Sequence, residues 1–196
     1  MDSISRRNLL ILLLAVGPRS VSSEGIGGIT RLQKLIFLLE REEHLIPGPD
    51  GYSFVPYKMG PYSPALYDDL EFLENMGLLE SEITAEATDY EAGEMEALSY
   101  DFLMSENTDE SLAAREDAYE ERHYRLTQAG YKIAGELLEK SDVKPVVDKI
   151  RRVKSKYCNH SLSDLLYYVY TRYPEMATES EIKNTVLRRG KRHDKY

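Results

Sequence analysis

Leu9 to Val16 is an unbroken run of eight apolar residues closed by Gly17-Pro18, and it limits what the chain can fold into. Eight residues are far too few to cross a bilayer, which takes about twenty. Ser5-Arg6-Arg7-Asn8-Leu9-Leu10 resembles the start of a twin-arginine export signal, and the run has the length of a signal h-region. No small-x-small cleavage site follows cleanly, so Ser5 to Val16 reads as a core helix that stops at Gly17-Pro18. A cytoplasmic protein is expected. The single cysteine, Cys158, excludes an intrachain disulfide and fits a reducing compartment.

Apolar periodicity supplies the next elements. Leu32, Leu35, Ile36 and Leu39 fall at i, i+3, i+4 and i+7, which predicts an amphipathic helix over 29–43. Arg31, Lys34, Glu40 and Arg41 lie mostly off that stripe. Residues 19–28 read as a loop, and 46–51 as a turn cluster. Tyr52-Ser-Phe-Val-Pro-Tyr57 is β-prone, with Pro56 confining it to an edge. At Met59-Gly60-Pro61-Tyr62 the chain turns again. Gly60 is expected in a backbone shape that a Cβ resists, and Tyr62 is expected against the 29–43 helix.

Ser63 reads as an N-cap with Pro64 at the first helical position, and Asp68 and Asp69 as favourable charges near the positive end of that helix. Leu66, Leu70, Leu73 and Met76 form its stripe, and Gly77 ends it. Leu35, Leu39, Leu70 and Leu73 are expected to be buried together. His123 to Thr127 reads as a strand. Residues 127–138, 143–157 and 161–173 read as helices. Thr178-Glu-Ser-Glu181 reads as the cap of a last short helix, with a basic tail that frays from Arg188.

Charge divides the chain unevenly. Residues 1–81 carry net −4, 82–121 carry −13, 122–141 carry +2 and 142–196 carry +6, giving −9 in all. The acidic segment is therefore an insertion of its own, either a solvated, solubilising stretch or a surface for a basic partner. There is no Trp but there are 15 Tyr, a residue suited to partly wet contacts.

The order helix, helix, extended turn, helix, strand, helix is that of a winged helix-turn-helix with the acidic segment inserted in the wing. Four motifs then stand in order. They are Ile29-Thr-Arg-Leu-Gln-Lys-Leu-Ile-Phe-Leu-Leu39, Tyr57-Lys-Met-Gly-Pro-Tyr-Ser63, Tyr124-Arg-Leu-Thr-Gln-Ala-Gly130, and Leu165-Leu-Tyr-Tyr-Val-Tyr-Thr-Arg-Tyr-Pro174 followed by Ser180-Glu-Ile182. Together they resemble the YwgA-like uncharacterised family and, more distantly, the SocA-like Panacea domain of antitoxins. The resemblance covers most of the chain apart from about residues 81–121. It implies a fold more than an activity, and it carries over no catalytic residue. SocA-like members are binders that neutralise or deliver a toxin. The acidic insertion departs from the family's compact pattern, so no specific partner is carried over.

Catalytic patterns are weak. His44, His123, His160, His193 and Cys158 form no C-x-x-C or H-E-x-x-H motif, and Cys158-Asn-His160 is the only close pair. A Cys–His nucleophile usually draws its partners from distant positions, so this pair reads as incidental. Gly25-Ile-Gly-Gly28 lacks the Lys-Ser/Thr of a phosphate cradle. No catalytic residue, metal or cofactor is expected, and the chain is not expected to be an enzyme. The recognition-helix position, Ser63 to Met76, holds Asp68, Asp69, Glu71 and Glu74 and no cation. Binding to phosphates is driven largely by cations, so this helix is disfavoured as a DNA reader. Lys149, Arg151, Arg152, Lys154 and Lys156 read as a solvated helix face.

The expected fold is mainly α: a winged-helix-like domain over 1–141 with the acidic insertion at about 81–121, and a C-terminal helical extension, 142–196, packed on it. The expected function is a protein–protein interaction module, antitoxin-like or an accessory of a defence or regulatory system, whose partner is a toxin or effector encoded nearby. The alternative is a DNA-binding transcriptional regulator using a basic C-terminal surface. Partner-binding residues are expected at Tyr57, Lys58, Tyr62, Tyr67, Arg151, Arg152, Tyr168 and Arg172. No membrane is expected, and a homo-oligomer stays open.

Overall fold

A computed structural model describes residues 4–17, 25–46, 50–83 and 122–193. The acidic segment from 84 to 121 lies outside the described residues, as do 1–3, 18–24, 47–49 and 194–196. The fold is mostly helical with two small antiparallel sheets. Its order is α1 (Arg6–Ala15), β1 (Ile26–Gly27), α2 (Ile29–Glu42), β2 (Val55–Tyr57), β3 (Gly60–Tyr62), α3 (Pro64–Asn75), β4 (Leu79–Ile83), β5 (Arg122–Leu126), α4 (Gln128–Leu138), α5 (Lys144–Tyr157), α6 (Leu162–Arg172), a 3-10 turn (Pro174–Ala177) and α7 (Lys183–His193). Among the described residues, no helix is long and apolar enough to cross a membrane.

The chain forms two compact units. The first contains α1, β1, α2, α3, β4, β5, α4 and α5. The second contains the β2–β3 hairpin and everything described from His160 onward. The expected division after residue 141 thus falls within the first unit, because α5 packs on α1 and α2.

In the first unit α1 is the central element. Every residue from Leu9 to Val16 is buried, since a helix that is apolar all round has no face to give to water. It packs on α3, α4 and α5. Ser5 starts it, its hydroxyl accepting from the Asn8 amide at 3.2 Å. Leu35, Leu39, Leu70 and Leu73 are all buried. Arg31 and Lys34, expected off the α2 stripe, are also buried, so α2 is enclosed on more sides than its apolar stripe covers.

The sheet of this unit runs β1-β5-β4. Ile26 pairs with Tyr124 and Gly27 with His123, antiparallel. Thr127 joins the sheet to α4. Its hydroxyl caps α4 by accepting from the Gly130 amide (3.1 Å) and donates to the Gly77 carbonyl (2.7 Å), while its amide donates to Leu78 O (3.1 Å). Gly130 permits this junction. A Cβ there would lie 2.0 Å from the Leu78 carbonyl oxygen.

In the second unit Val55 pairs with Tyr62, Pro56 with Pro61 and Tyr57 with Gly60. The hairpin packs on the 3-10 turn and, through β3, on α6, which packs on α7. Gly60 has φ +86°, and a Cβ there would meet the Tyr170 ring at 2.6 Å. The expected special backbone is present, and the ring of α6 fills the space above it.

Three local expectations are corrected. Ser63 precedes α3 but does not cap it: its hydroxyl donates to the Tyr52 carbonyl, a tertiary bond that outcompetes the local one. Thr178 does not start a helix. Its hydroxyl donates to Glu175 O (3.2 Å) and Ser180 donates to the Tyr170 hydroxyl (2.8 Å), so α7 begins only at Lys183. The tail expected to fray from Arg188 remains helical through His193.

Candidate interaction surfaces

In the first unit the site is built on α3, which presents two faces. Leu66, Asp69, Leu70 and Leu73 point inward, while Tyr67, Asp68, Glu71, Phe72, Asn75 and Met76 are exposed. Two connections hold the helix. Gln33 of α2 grips Ser63 in both directions: its Nε2 donates to Ser63 O and its Oε1 accepts from Ser63 N, each at 3.0 Å. A polar side chain inside the α2 stripe thereby satisfies a buried backbone donor and acceptor that α3 leaves at its start.

The second connection is ionic. Asp69 is 1% exposed. Its Oδ1 accepts from Arg7 Nε at 2.9 Å, and its Oδ2 lies 3.3 Å from Arg6 Nε without an aligned hydrogen bond. Asp69 therefore does not act through the helix dipole, as its sequence position suggested. It lies beyond the first turn and binds α3 to α1. Tyr52 closes the group, its hydroxyl donating to Arg6 O at 3.3 Å and its amide to Glu40 Oε1 at 2.8 Å. Burial raises the Glu40 carboxyl above its usual range. It also holds the Tyr52 hydroxyl protonated well above the ordinary tyrosine value, with Asp69 adding to the effect.

On the outer face Tyr67 is 43% exposed, Phe72 39% and Met76 59%. The Arg7 guanidinium lies over the Phe72 ring, 3.7 Å from its centroid. Asp68 and Glu71 stand beside these side chains, and no ion pair among the described residues reaches either one.

The second unit carries most of the residues expected at a partner surface. Tyr57, Lys58 and Tyr62 lie on the β2–β3 hairpin, and Tyr168 and Arg172 lie one turn apart on α6. Tyr62, expected against α2, has its ring 4.7 Å from that of Tyr57. Lys58 at the hairpin tip pairs with Glu181 at 3.2 Å, and its carbonyl accepts from the Glu181 amide at 3.0 Å. Arg172 lies over the Tyr173 ring at 5.8 Å. Pro56 opposite Pro61 removes two amide donors at one rung, so the hairpin is a poor template for adding a strand and offers side chains instead.

Tyr67, Arg151 and Arg152 belong to the first unit. Of the α5 cations expected on a solvated face, Arg152 and Lys156 are exposed, Lys149 and Arg151 are half-buried and Lys154 is buried; several of them meet acceptors of the chain itself. Arg152 binds both carboxylate oxygens of Glu43 (3.1 and 2.6 Å), and Lys149 Nζ donates to Glu43 O at 2.5 Å. Lys156 lies 3.6 Å from Glu42, and Arg151 lies 3.7 Å from Asp148. The hydrogen bond from Arg152 lowers the Glu43 carboxyl. Lys154 is buried and donates to Val16 O at 2.6 Å; burial lowers its ammonium to about 8. Burial likewise lowers Lys34 to about 7. The Cys158 thiol is raised by burial against the opposing pull of Lys154 and Arg31, the reverse of what activates a nucleophile. Among the described residues no group of three His, Cys, Asp or Glu is placed to hold a metal.

Of the residues that fix α3, Gln33 was not singled out in the sequence, Asp69 was read as a helix-dipole charge, and Arg6 and Arg7 were read only as resembling an export signal. Their signal was a polar Gln33-Lys34 pair inside an apolar stripe and two arginines beside an apolar run. Comparison with protein-family models, curated proteins and solved structures returns no match.

Proposed function

We propose that this chain is a non-catalytic, winged-helix protein-binding module of the cytoplasm, antitoxin-like or an accessory of a defence or regulatory system. The order α1-β1-α2-α3-β4-β5 within the first unit, with the β2–β3 hairpin of the second unit falling between α2 and α3 in sequence, and the sheet order β1-β5-β4 support the winged-helix reading, and the acidic segment joins β4 to β5 at the position of the wing. The motifs that resemble the YwgA-like and SocA-like proteins fall on contacts internal to each unit: Gln33 on Ser63 and Thr127 and Gly130 on Leu78 in the first, Gly60 under Tyr170 in the second.

The observation that carries the reading is the outer face of α3. The helix in the recognition position has no cation of its own and offers water Tyr67, Phe72 and Met76 edged with carboxylates, Arg7 of α1 lying over the Phe72 ring. Such a face repels phosphates and suits a protein. Within the second unit, Tyr57, Lys58, Tyr62, Tyr168 and Arg172 are the candidate partner-binding residues, and the partner class is a toxin or effector encoded nearby.

The test is direct binding of the purified chain to the products of adjacent genes, with a mixed-sequence DNA duplex at low salt as the competitor class. A protein complex without measurable duplex binding is expected. Duplex binding with a steep salt slope and no protein complex would sink the proposal. The alternative, a DNA-binding regulator, rests on α7, which holds Lys183, Arg188, Arg189, Lys191 and Arg192 and no acid. It predicts that duplex binding falls when Arg188 and Arg189 are replaced by Gln.

A further inference from the structure

We infer that the outer face of α3 docks a cationic amphipathic helix of the partner, an inference that rests on the binding-module reading and names the partner's chemistry. Two ridges run along this face at i, i+4 spacing. One is Tyr67–Glu71–Asn75 and the other is Asp68–Phe72–Met76. Each mixes an apolar side chain with a polar or acidic one. At about 1.5 Å per residue the span from Tyr67 to Met76 is about 14 Å, which matches two to three turns of a facing helix packed ridge into groove.

The chemistry of the face selects among occupants. An anionic polymer or an acidic membrane surface would meet Asp68 and Glu71 with like charge. A wholly apolar helix would bury the same carboxylates without compensation, which is costly. A helix with an apolar stripe flanked by Lys or Arg covers Tyr67, Met76 and the part of Phe72 that Arg7 leaves exposed, and neutralises Asp68 and Glu71 at once. The chain already carries out half of this contact on itself: Arg7 lies 3.7 Å over the Phe72 ring while its Nε bonds the Asp69 carboxylate. A partner arginine would repeat that pattern one turn along, at Glu71 and Tyr67. The platform is also rigid, because Gln33 grips its start and Asp69 ties its second turn to α1, so little ordering is required on binding.

The probe is a synthetic amphipathic helix of Leu and Lys, about five turns long, titrated against the full-length protein, with a Leu/Glu peptide of the same pattern as control. Three outcomes support the inference. The Leu/Lys peptide binds and the Leu/Glu peptide does not. Tyr67→Ala with Met76→Ala weakens binding at least about tenfold. Asp68→Asn with Glu71→Gln weakens it and flattens its salt dependence. All four positions are exposed, and an unchanged thermal melt confirms that each variant is folded. Binding unaffected by both double variants would overturn it, since any acidic stretch of the chain could then be holding the peptide. The failures are separable: a partner encoded nearby that binds both double variants as tightly as the unaltered chain overturns the α3 docking surface and leaves the binding-module reading in place.

Discussion

Helices α3 and α5 belong to the same unit and carry opposite charge, yet they use it in opposite directions. On α5 the cations meet the molecule's own acceptors, Lys154 in the interior and Arg152 and Lys156 at the surface. Lys149 and Arg152 meet Glu43 at the C-terminal end of α2, Lys156 meets Glu42, and Lys154 reaches the last carbonyl of the α1 region. Cations are favourable there because the end of α2 exposes carbonyl oxygens and carries two carboxylates of its own. On α3 only Asp69 turns inward, to Arg6 and Arg7, while Asp68 and Glu71 face out. Net charge along a sequence thus says little about which charge a partner can reach. The +6 of the C-terminal part is partly consumed at home, and the modest charge of α3 is on offer.

The largest test of this contrast compares adjacent carboxylates. Asp69→Ala removes the buried acceptor of two partly exposed arginines and should cost about 2–3 kcal/mol in urea denaturation, whereas Asp68→Ala should stay within about 0.5 kcal/mol. Equal effects would erase the distinction between the two faces of α3. Next comes Gln33→Ala, which strands the buried amide of Ser63, whose carbonyl still accepts from the Leu66 amide, and should cost about 1–2 kcal/mol, seen as a lower denaturation midpoint.

A third effect is a dependence on pH. Lys34 is lowered to about 7 and Lys154 to about 8 from an ordinary value near 10.5. In this range the unfolded chain binds more protons than the folded one, so stability should rise with pH from about 7 towards 10. Near and above pH 10 the buried Tyr52 and Tyr170, whose hydroxyls are held protonated, act in the opposite sense. Lys34→Met should flatten the rise; an unchanged slope across pH 7–10 would place the titration elsewhere. The smallest effect belongs to α5. Arg152→Ala removes an exposed ion pair, and its change in melting temperature should be near the limit of detection.

Much of the fold was legible because it is local. The stripe of Leu32, Leu35, Ile36 and Leu39, the apolar run of α1, the Thr127 cap and the Gly77 stop each declare themselves within one or two turns. What stayed hidden is tertiary. Ser63 and Thr178 look like caps because their sequence neighbours fit, but Tyr52 O and Glu175 O accept their hydroxyl protons instead. Gln33 looks like an interruption of a stripe until Ser63 is seen beside it. The union of the hairpin 55–62 with residues beyond 160 joins segments a hundred residues apart, and no periodicity encodes it. Of the expected surface residues, Tyr57, Lys58, Tyr62, Tyr168 and Arg172 fall in one unit, whereas Phe72 and Met76, which read as core stripe or went unremarked, prove exposed.

Strands β4 and β5 are neighbours in their sheet, and Arg125 of β5 clasps Glu80 at 2.7 Å and Glu82 at 2.5 Å across it. The two ends of the intervening segment are therefore moored about one strand spacing, roughly 4.8 Å, apart. The junction at β4 and β5 is thus fixed by the described strands themselves, with Arg125 holding it shut. The same property makes it an insertion port, where a reporter domain or a foreign epitope could be spliced in with both α3 and the hairpin left as they are.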